Sequence, residues 1–196
     1  MNRRLLGLSL AVLLLLGACG KSIEITDEDD ATPAPSQTTS QGNAGLEVLD
    51  NSAEENGMNG DGGTMIGAER QEQPADWVQL TAARGGDVSG IRLVDIHQSS
   101  LYRFDNDSAN PSKSTCNDMC ALTWPPVTVQ EGGRVYLEGV NAQRIGAIRR
   151  DDGTVQITAG GWPLYRFSGD SQPGELNGQG RDGVWFAVSP EGQKVE

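Results

Sequence analysis

The chain is poor in the side chains on which most enzyme chemistry depends. Its 196 residues hold one histidine, three cysteines, four tryptophans, three tyrosines and three phenylalanines. The single imidazole, His97, lies in Asp95-Ile96-His97-Gln98 before a strand-like run, and no Gly-x-Ser-x-Gly nucleophile elbow accompanies it. Walker and dinucleotide-binding glycine loops are missing. The segment Asn177-Gly178-Gln179-Gly180 precedes a strand-like stretch instead of a helix N-terminus, so it reads as a turn. A closed zinc site wants four ligands, more than His97, Cys116 and Cys120 supply. No long segment holds a 3.6-residue period, and no apolar run reaches the roughly 20 residues that span a bilayer. These absences lead to the expectation of no catalytic residues and no enzyme.

Basic charge is also scarce. The net charge is −12, and it is unevenly placed. Residues 21–76 carry 13 Asp/Glu against only Lys21 and Arg70, whereas residues 77–196 carry 14 acids against 11 bases. No basic patch points to nucleic acid.

The N-terminus has a positive start, Arg3-Arg4, then the apolar run Leu5 to Leu16, then Leu16-Gly17-Ala18-Cys19. That pattern is a signal peptide over 1–18 ending in a sequence similar to the lipobox of bacterial lipoproteins. Cys19 is then the lipidation site, carrying acyl chains such as palmitate that anchor the protein firmly without a spanning helix. Gly20 replaces the aspartate associated with inner-membrane retention, so the expected address is the cell envelope: the outer membrane in a Gram-negative cell, otherwise the outer face of the cytoplasmic membrane.

Residues 19–76 read as the lipidated cysteine followed by an acidic disordered tether, because Asp, Glu, Ser, Thr, Gly and Pro dominate and no aromatic residue occurs before Trp77. Residues 77–196 read as one mainly β, antiparallel domain. Strand-like runs at 78–81, 91–95, 100–104, 145–149, 154–158, 163–167 and 184–188 are bounded by Gly, Asp, Asn and Pro. Asp151-Asp152-Gly153 signals a hairpin, and a helical turn is expected near 116–122. The tetrapeptide Leu-Tyr-Arg-Phe occurs at 101–104 and again at 164–167. Each copy is followed by Asp, at 107 and 170, then by a polar Pro-containing stretch and a Trp, at 124 and 185. The domain is therefore expected to be two related repeats, about 91–129 and 154–190, neither closing a core alone.

Taken together, several segments resemble the secreted lipoprotein repeat family of bacteria. They are Tyr102-x-Phe104-x-x-Asp107, Cys116-x-x-x-Cys120-Ala121-x-x-Trp124-Pro125-Pro126, Arg150-x-Asp152-Gly153-Thr154, Gly161-Trp162-Pro163-Leu164-Tyr165-x-Phe167-x-x-Asp170, Asn177-Gly178-Gln179-Gly180 and Val184-Trp185-Phe186. The resemblance implies an envelope lipoprotein and brings no established biochemical activity.

Each motif has a structural and a functional reading. Alternation places Tyr102 with Phe104, and Tyr165 with Phe167, on a buried face, with Asp107 and Asp170 capping turns; alternatively the Asp/Tyr pairs form two equivalent ligand sites. Asp105-Asn106-Asp107 fails the EF-hand template, since Gly and Glu are missing where that loop needs them. Trp124-Pro125 and Trp162-Pro163 either close the core or present aromatic platforms. Cys116 and Cys120 suit a structural disulfide in an oxidising compartment, which requires a distorted turn because a regular helix holds i and i+4 too far apart. A thiol switch is a second possibility. A copper site drawing on Cys116, Met119, Cys120 and His97 is a third. The favoured expectation is no cofactor, and a lipid-anchored, non-enzymatic binding module for an unidentified protein or small molecule. The alternative is a copper or thiol-redox protein acting through the cysteine pair.

Overall fold

The computed structural model describes residues 45–66 and 71–196. The signal sequence, Cys19 and the first part of the tether lie outside the described residues. In chain order the elements are β1 (Glu47–Leu49), β2 (Ala75–Arg84), β3 (Ile91–Val94), β4 (Tyr102–Phe104), the hairpin β5 (Ser108–Ala109) and β6 (Ser112–Lys113), and α1 (Met119–Thr123). There follow β7 (Thr128–Glu138), a 3₁₀ turn at Ala142–Arg144, β8 (Ile145–Arg149), β9 (Val155–Ala159), β10 (Trp162–Pro163), a 3₁₀ turn at Arg181–Gly183 and β11 (Trp185–Ala187). The described residues are mainly β, with one α-helix among them, at the cysteine pair. The main sheet runs β10-β9-β7-β2-β3, with β1 added on β7 and β8 on β9, while β11 and β4 pair separately. Its ladders are antiparallel except for β1–β7 and β2–β7, which are parallel. All of the first repeat lies between β2 and β7, so the chain has room to return in the same direction.

β2 shows how the sequence builds the centre. Successive side chains point to opposite faces. Val78 and Leu80 enter the main core with Val135, Leu137, Leu93, Ile157 and Leu164. Trp77 enters a smaller cluster on another face with Tyr136, Leu49 and Ala53, its ring edge-on to Tyr136 at 5.5 Å. Burial of one large apolar side chain stabilises by about 1.5–3 kcal/mol.

The segment 45–58 packs into both clusters, Leu46 and Val48 into the main core and Leu49 and Ala53 beside Trp77, and here the expected boundary at Trp77 is corrected. Leu46, Val48, Leu49 and Ala53 are all buried. β1 pairs in register with β7, Glu47 opposite Arg134 and Leu49 opposite Tyr136. The Ala53 N–H donates to Gln79 Oε1 at 2.8 Å. The apolar residues of this stretch are few and lie among acids, so composition alone hides them.

β7 was not among the expected strands, because Glu131-Gly132-Gly133 looks like a turn. In the structure the strand bulges there: Ala75 faces Val129, and the next match is Trp77 with Arg134. Gly133 is required, since a Cβ at that position would lie 2.4 Å from the Val129 side chain. The hairpin expected at 151–153 joins β8 to β9, with the Gly153 N–H donating to Arg150 O at 3.0 Å.

Candidate functional site

A pseudo-twofold axis passes between the two Leu-Tyr-Arg-Phe segments. Tyr102 N–H donates to Tyr165 O at 2.8 Å, and Tyr165 N–H donates to Tyr102 O at 2.9 Å. The same exchange continues outward in matched pairs. Val127 N–H donates to Leu164 O and Val188 N–H to Leu101 O; Ser168 N–H donates to Thr123 O and Asp105 N–H to Val184 O. Each repeat thus builds its strand on the other.

The side chains are exchanged as well. The Tyr102 hydroxyl donates to Asp170 Oδ2 at 2.6 Å, and the Tyr165 hydroxyl donates to Asp107 Oδ2 at 2.6 Å. Each carboxylate uses its other oxygen on the loop that follows it: Asp107 Oδ1 accepts from the Thr115 N–H at 2.7 Å, and Asp170 Oδ1 accepts from the Asn177 N–H at 2.9 Å. The aspartates therefore cap their own loops and bind the tyrosine of the other repeat. Both tyrosines are fully buried, and both aspartates are nearly so. Burial, reinforced by the adjacent carboxylates, pushes both phenols well above their ordinary range. Burial likewise moves both carboxyls upward, and the hydrogen bonds from the tyrosines and loop N–H groups oppose that shift.

Around these pairs the aromatic residues form a column. Phe104 stacks on Trp185 at 4.1 Å, Trp185 on Trp124 at 3.9 Å, and Trp124 lies against Phe167 at 4.4 Å. Trp124 and Trp185 are buried in the same cluster as Tyr102 and Tyr165. Gly178 packs against this column, and a Cβ there would lie 2.8 Å from the Tyr102 ring and 2.9 Å from Trp124. The glycine of Asn177-Gly178-Gln179-Gly180 thus permits a close approach, a role that turn chemistry alone does not reveal. Trp162 is half-buried, with the Arg103 guanidinium 3.3 Å over its ring.

Cys116 and Cys120 are joined in a disulfide. Asp118 between them has φ of 49°, outside the helical region, so α1 begins only at Met119. Arg150 holds this loop from inside: Nη2 donates to Cys116 O at 2.7 Å and to Asn117 Oδ1 at 3.0 Å, while Nη1 donates to Ser114 Oγ at 2.8 Å. Ser114 Oγ in turn lies 2.8 Å from the Tyr165 hydroxyl, linking the disulfide loop to the central pair. The other copper candidates are placed differently. Met119 is 75% exposed, and His97 Nε2 lies 2.9 Å from Thr64 O and 3.4 Å from Asp61 Oδ2.

Beside the disulfide loop is a groove of about 690 Å³, walled by Asn117, Asp118, Ala121 and Leu122 on one side and by Arg150, Asp151, Asp152 and Thr154 on the other. Gln71, Glu72, Pro74, Pro125, Pro126 and Thr128 also line it. The cysteine–tryptophan–proline motif and the Arg150–Thr154 motif supply most of its walls, but nothing in the sequence shows that they meet, since they come together with residues 71–74 only in the folded chain.

The architecture defines a duplicated β protein whose two repeats close one another's cores. A family described as a secreted repeat of unknown function matches at residues 87–128 and again at 146–189. The chain carries two copies of that repeat. No curated protein and no solved structure matched the chain.

Proposed function

We propose that this is a lipid-anchored envelope protein whose two-repeat domain is a non-enzymatic interaction module, binding a partner through the groove beside the disulfide. The observation that carries this reading is the groove itself, whose two walls are held in place by the covalent Cys116–Cys120 link and by the buried Arg150. The tyrosines and aspartates of the repeat motif support it from the other direction: they bond one another in the interior and serve the core. Anchoring through Cys19 would present the domain close to the membrane surface, beyond the acidic stretch that precedes Gly45.

Two measurements test the two parts. Metabolic labelling with a palmitate analogue should mark the wild-type protein and not Cys19→Ser, which should leave the membrane fraction; retention of the variant would refute the anchor. A photo-crosslinking residue at Leu122 should give a discrete adduct in cells, while one at Gln143, exposed and not part of this groove's lining, should not. Equal labelling from both positions would refute a groove-centred module.

A further inference from the structure

We propose that the groove takes a cationic, partly apolar polypeptide segment of another protein. This rests on the reading of the groove as a binding site and specifies its occupant.

The chemistry of the walls carries the inference. Ala121, Leu122, Pro125 and Pro126 give the lining an apolar part, and Leu122 is 43% exposed. The same lining holds Glu72, Asp118, Asp151 and Asp152, all exposed. Among the described residues the one base in the lining is Arg150; it is buried, its two terminal nitrogens are spent on Ser114, Gln156, Cys116 O and Asn117, and its Nε pairs with Asp152 Oδ2 at 3.4 Å. Arg150 thus offsets part of the Asp152 charge, and Glu72, Asp118 and Asp151 leave the described lining net acidic. Asp152 is held at the hairpin by accepting from the Thr154 N–H at 2.9 Å and hydroxyl at 2.6 Å, so it is fixed in place before a ligand arrives. A second groove shares Gln71, Glu72 and Pro74 and adds Asp76, which continues the acidic lining along one track. Apolar contact supplies affinity while the like-signed rim selects the partner's charge.

The protein's own N-terminal stretch is a poor occupant. Residues 21–44 bring Glu24, Asp27, Glu28, Asp29 and Asp30 against only Lys21, and like charges repel. Binding should follow salt, because exposed charges are screened beyond a Debye length of roughly 10 Å at 0.1 M.

The test uses the full exported chain and short fluorescent peptides in anisotropy titrations. One peptide alternates lysine and leucine, one lysine and serine, and one glutamate and leucine. The lysine–leucine peptide should bind tightest. Its affinity should fall roughly tenfold in Asp118→Asn/Asp151→Asn/Asp152→Asn, as three rim charges of modest individual strength predict. It should be lost in Ala121→Trp, which fills the groove, and in Leu122→Arg, an exposed substitution that keeps the test valid if the tryptophan variant does not fold. The acidic N-terminal stretch gives a background common to all these variants. Binding abolished by Ala121→Trp or Leu122→Arg but indifferent to the asparagine substitutions would overturn the charge inference and leave the groove reading standing. Binding indifferent to all of them, or equal for the glutamate–leucine peptide, would overturn the proposal. A crosslinked adduct at Leu122 with no lysine–leucine binding would do the same without touching the groove reading.

Discussion

The two repeats share one central arrangement and differ in what surrounds it. At the axis, Tyr102–Asp170 and Tyr165–Asp107 are equivalent to within the 2.6 Å that both show. Away from it, the first repeat approaches its Trp through a disulfide and α1, whereas the second does so through the 3₁₀ turn Arg181–Gly183, with Arg181 lying 4.6 Å over Phe167. The arginines of the repeated tetrapeptide diverge too. Arg166 pairs with Asp95 at 2.7 Å, both fully buried, while Arg103 shares Asp105 with Lys194 nearer the surface. Symmetry is kept where each half needs the other to satisfy buried polar groups. It is relaxed away from the axis, even at Arg166, which reaches the buried Asp95 of the other repeat.

Breaking that comparison gives an ordered set of expectations, each measurable by chemical denaturation of the exported chain. The largest effect is expected at Arg166→Met, about 3–5 kcal/mol, because it strands the buried Asp95 carboxylate. Arg103→Met should cost clearly less, about 1–2 kcal/mol, since Asp105 keeps Lys194 at 2.8 Å. Equal losses would deny the distinction between the two arginines.

Next come the central pairs. Asp107→Ala and Asp170→Ala should each cost about 2–3 kcal/mol by removing a buried phenol's carboxylate acceptor and leaving a loop N–H without one. Asn at either position should cost less, because its carbonyl still accepts. The paired cycles with Tyr102→Phe and Tyr165→Phe should give matching coupling energies; a marked inequality would show that the pseudo-symmetry is only geometric. The pH dependence has a defined sign. Both carboxyls are shifted upward on folding, so the native state binds these protons more tightly than the unfolded chain. Their contribution is full below the ordinary carboxylate range and declines as pH rises through the raised folded values. The stability advantage of wild type over Asp107→Asn/Asp170→Asn should therefore be largest at acid pH and shrink towards neutrality. An advantage that grows with pH would contradict the direction of the shift.

Smaller again is Cys116→Ala/Cys120→Ala, about 2 kcal/mol, because the loop closed is short. This change has no counterpart in the second repeat, and it should loosen one wall of the groove, weakening the lysine–leucine peptide more than it weakens the fold. The smallest expected effect is Arg181→Ala, about 0.5–1 kcal/mol for an exposed cation over the Phe167 ring; a larger loss would mean that Arg181 replaces the disulfide as the second repeat's staple.

Much of the local design was legible in the residues. Alternation placed Tyr102, Phe104, Tyr165 and Phe167 together on an inward face, because strand geometry allows only two directions for a side chain. Asp151-Asp152-Gly153 announced its hairpin, and the four-residue spacing of Cys116 and Cys120 required the departure from helix that Asp118 makes. Other features were not legible. Leu46, Val48 and Leu49 were masked by acidic neighbours, and the two glycines inside β7 imitated a turn until the bulge against β2 accounted for them. The partners of Asp107 and Asp170 were out of reach, since a repeated motif suggests that each aspartate serves its own copy.

Sequence determined the duplication, the strand faces and the cysteine spacing, because each depends on contacts within a few residues. Tertiary structure decided that the copies exchange their tyrosines, that Arg150 is buried between the disulfide loop and Asp152, and that distant loops enclose an acidic groove. Those outcomes depend on which buried polar groups find acceptors once the halves dock, and that is settled only when both halves are present.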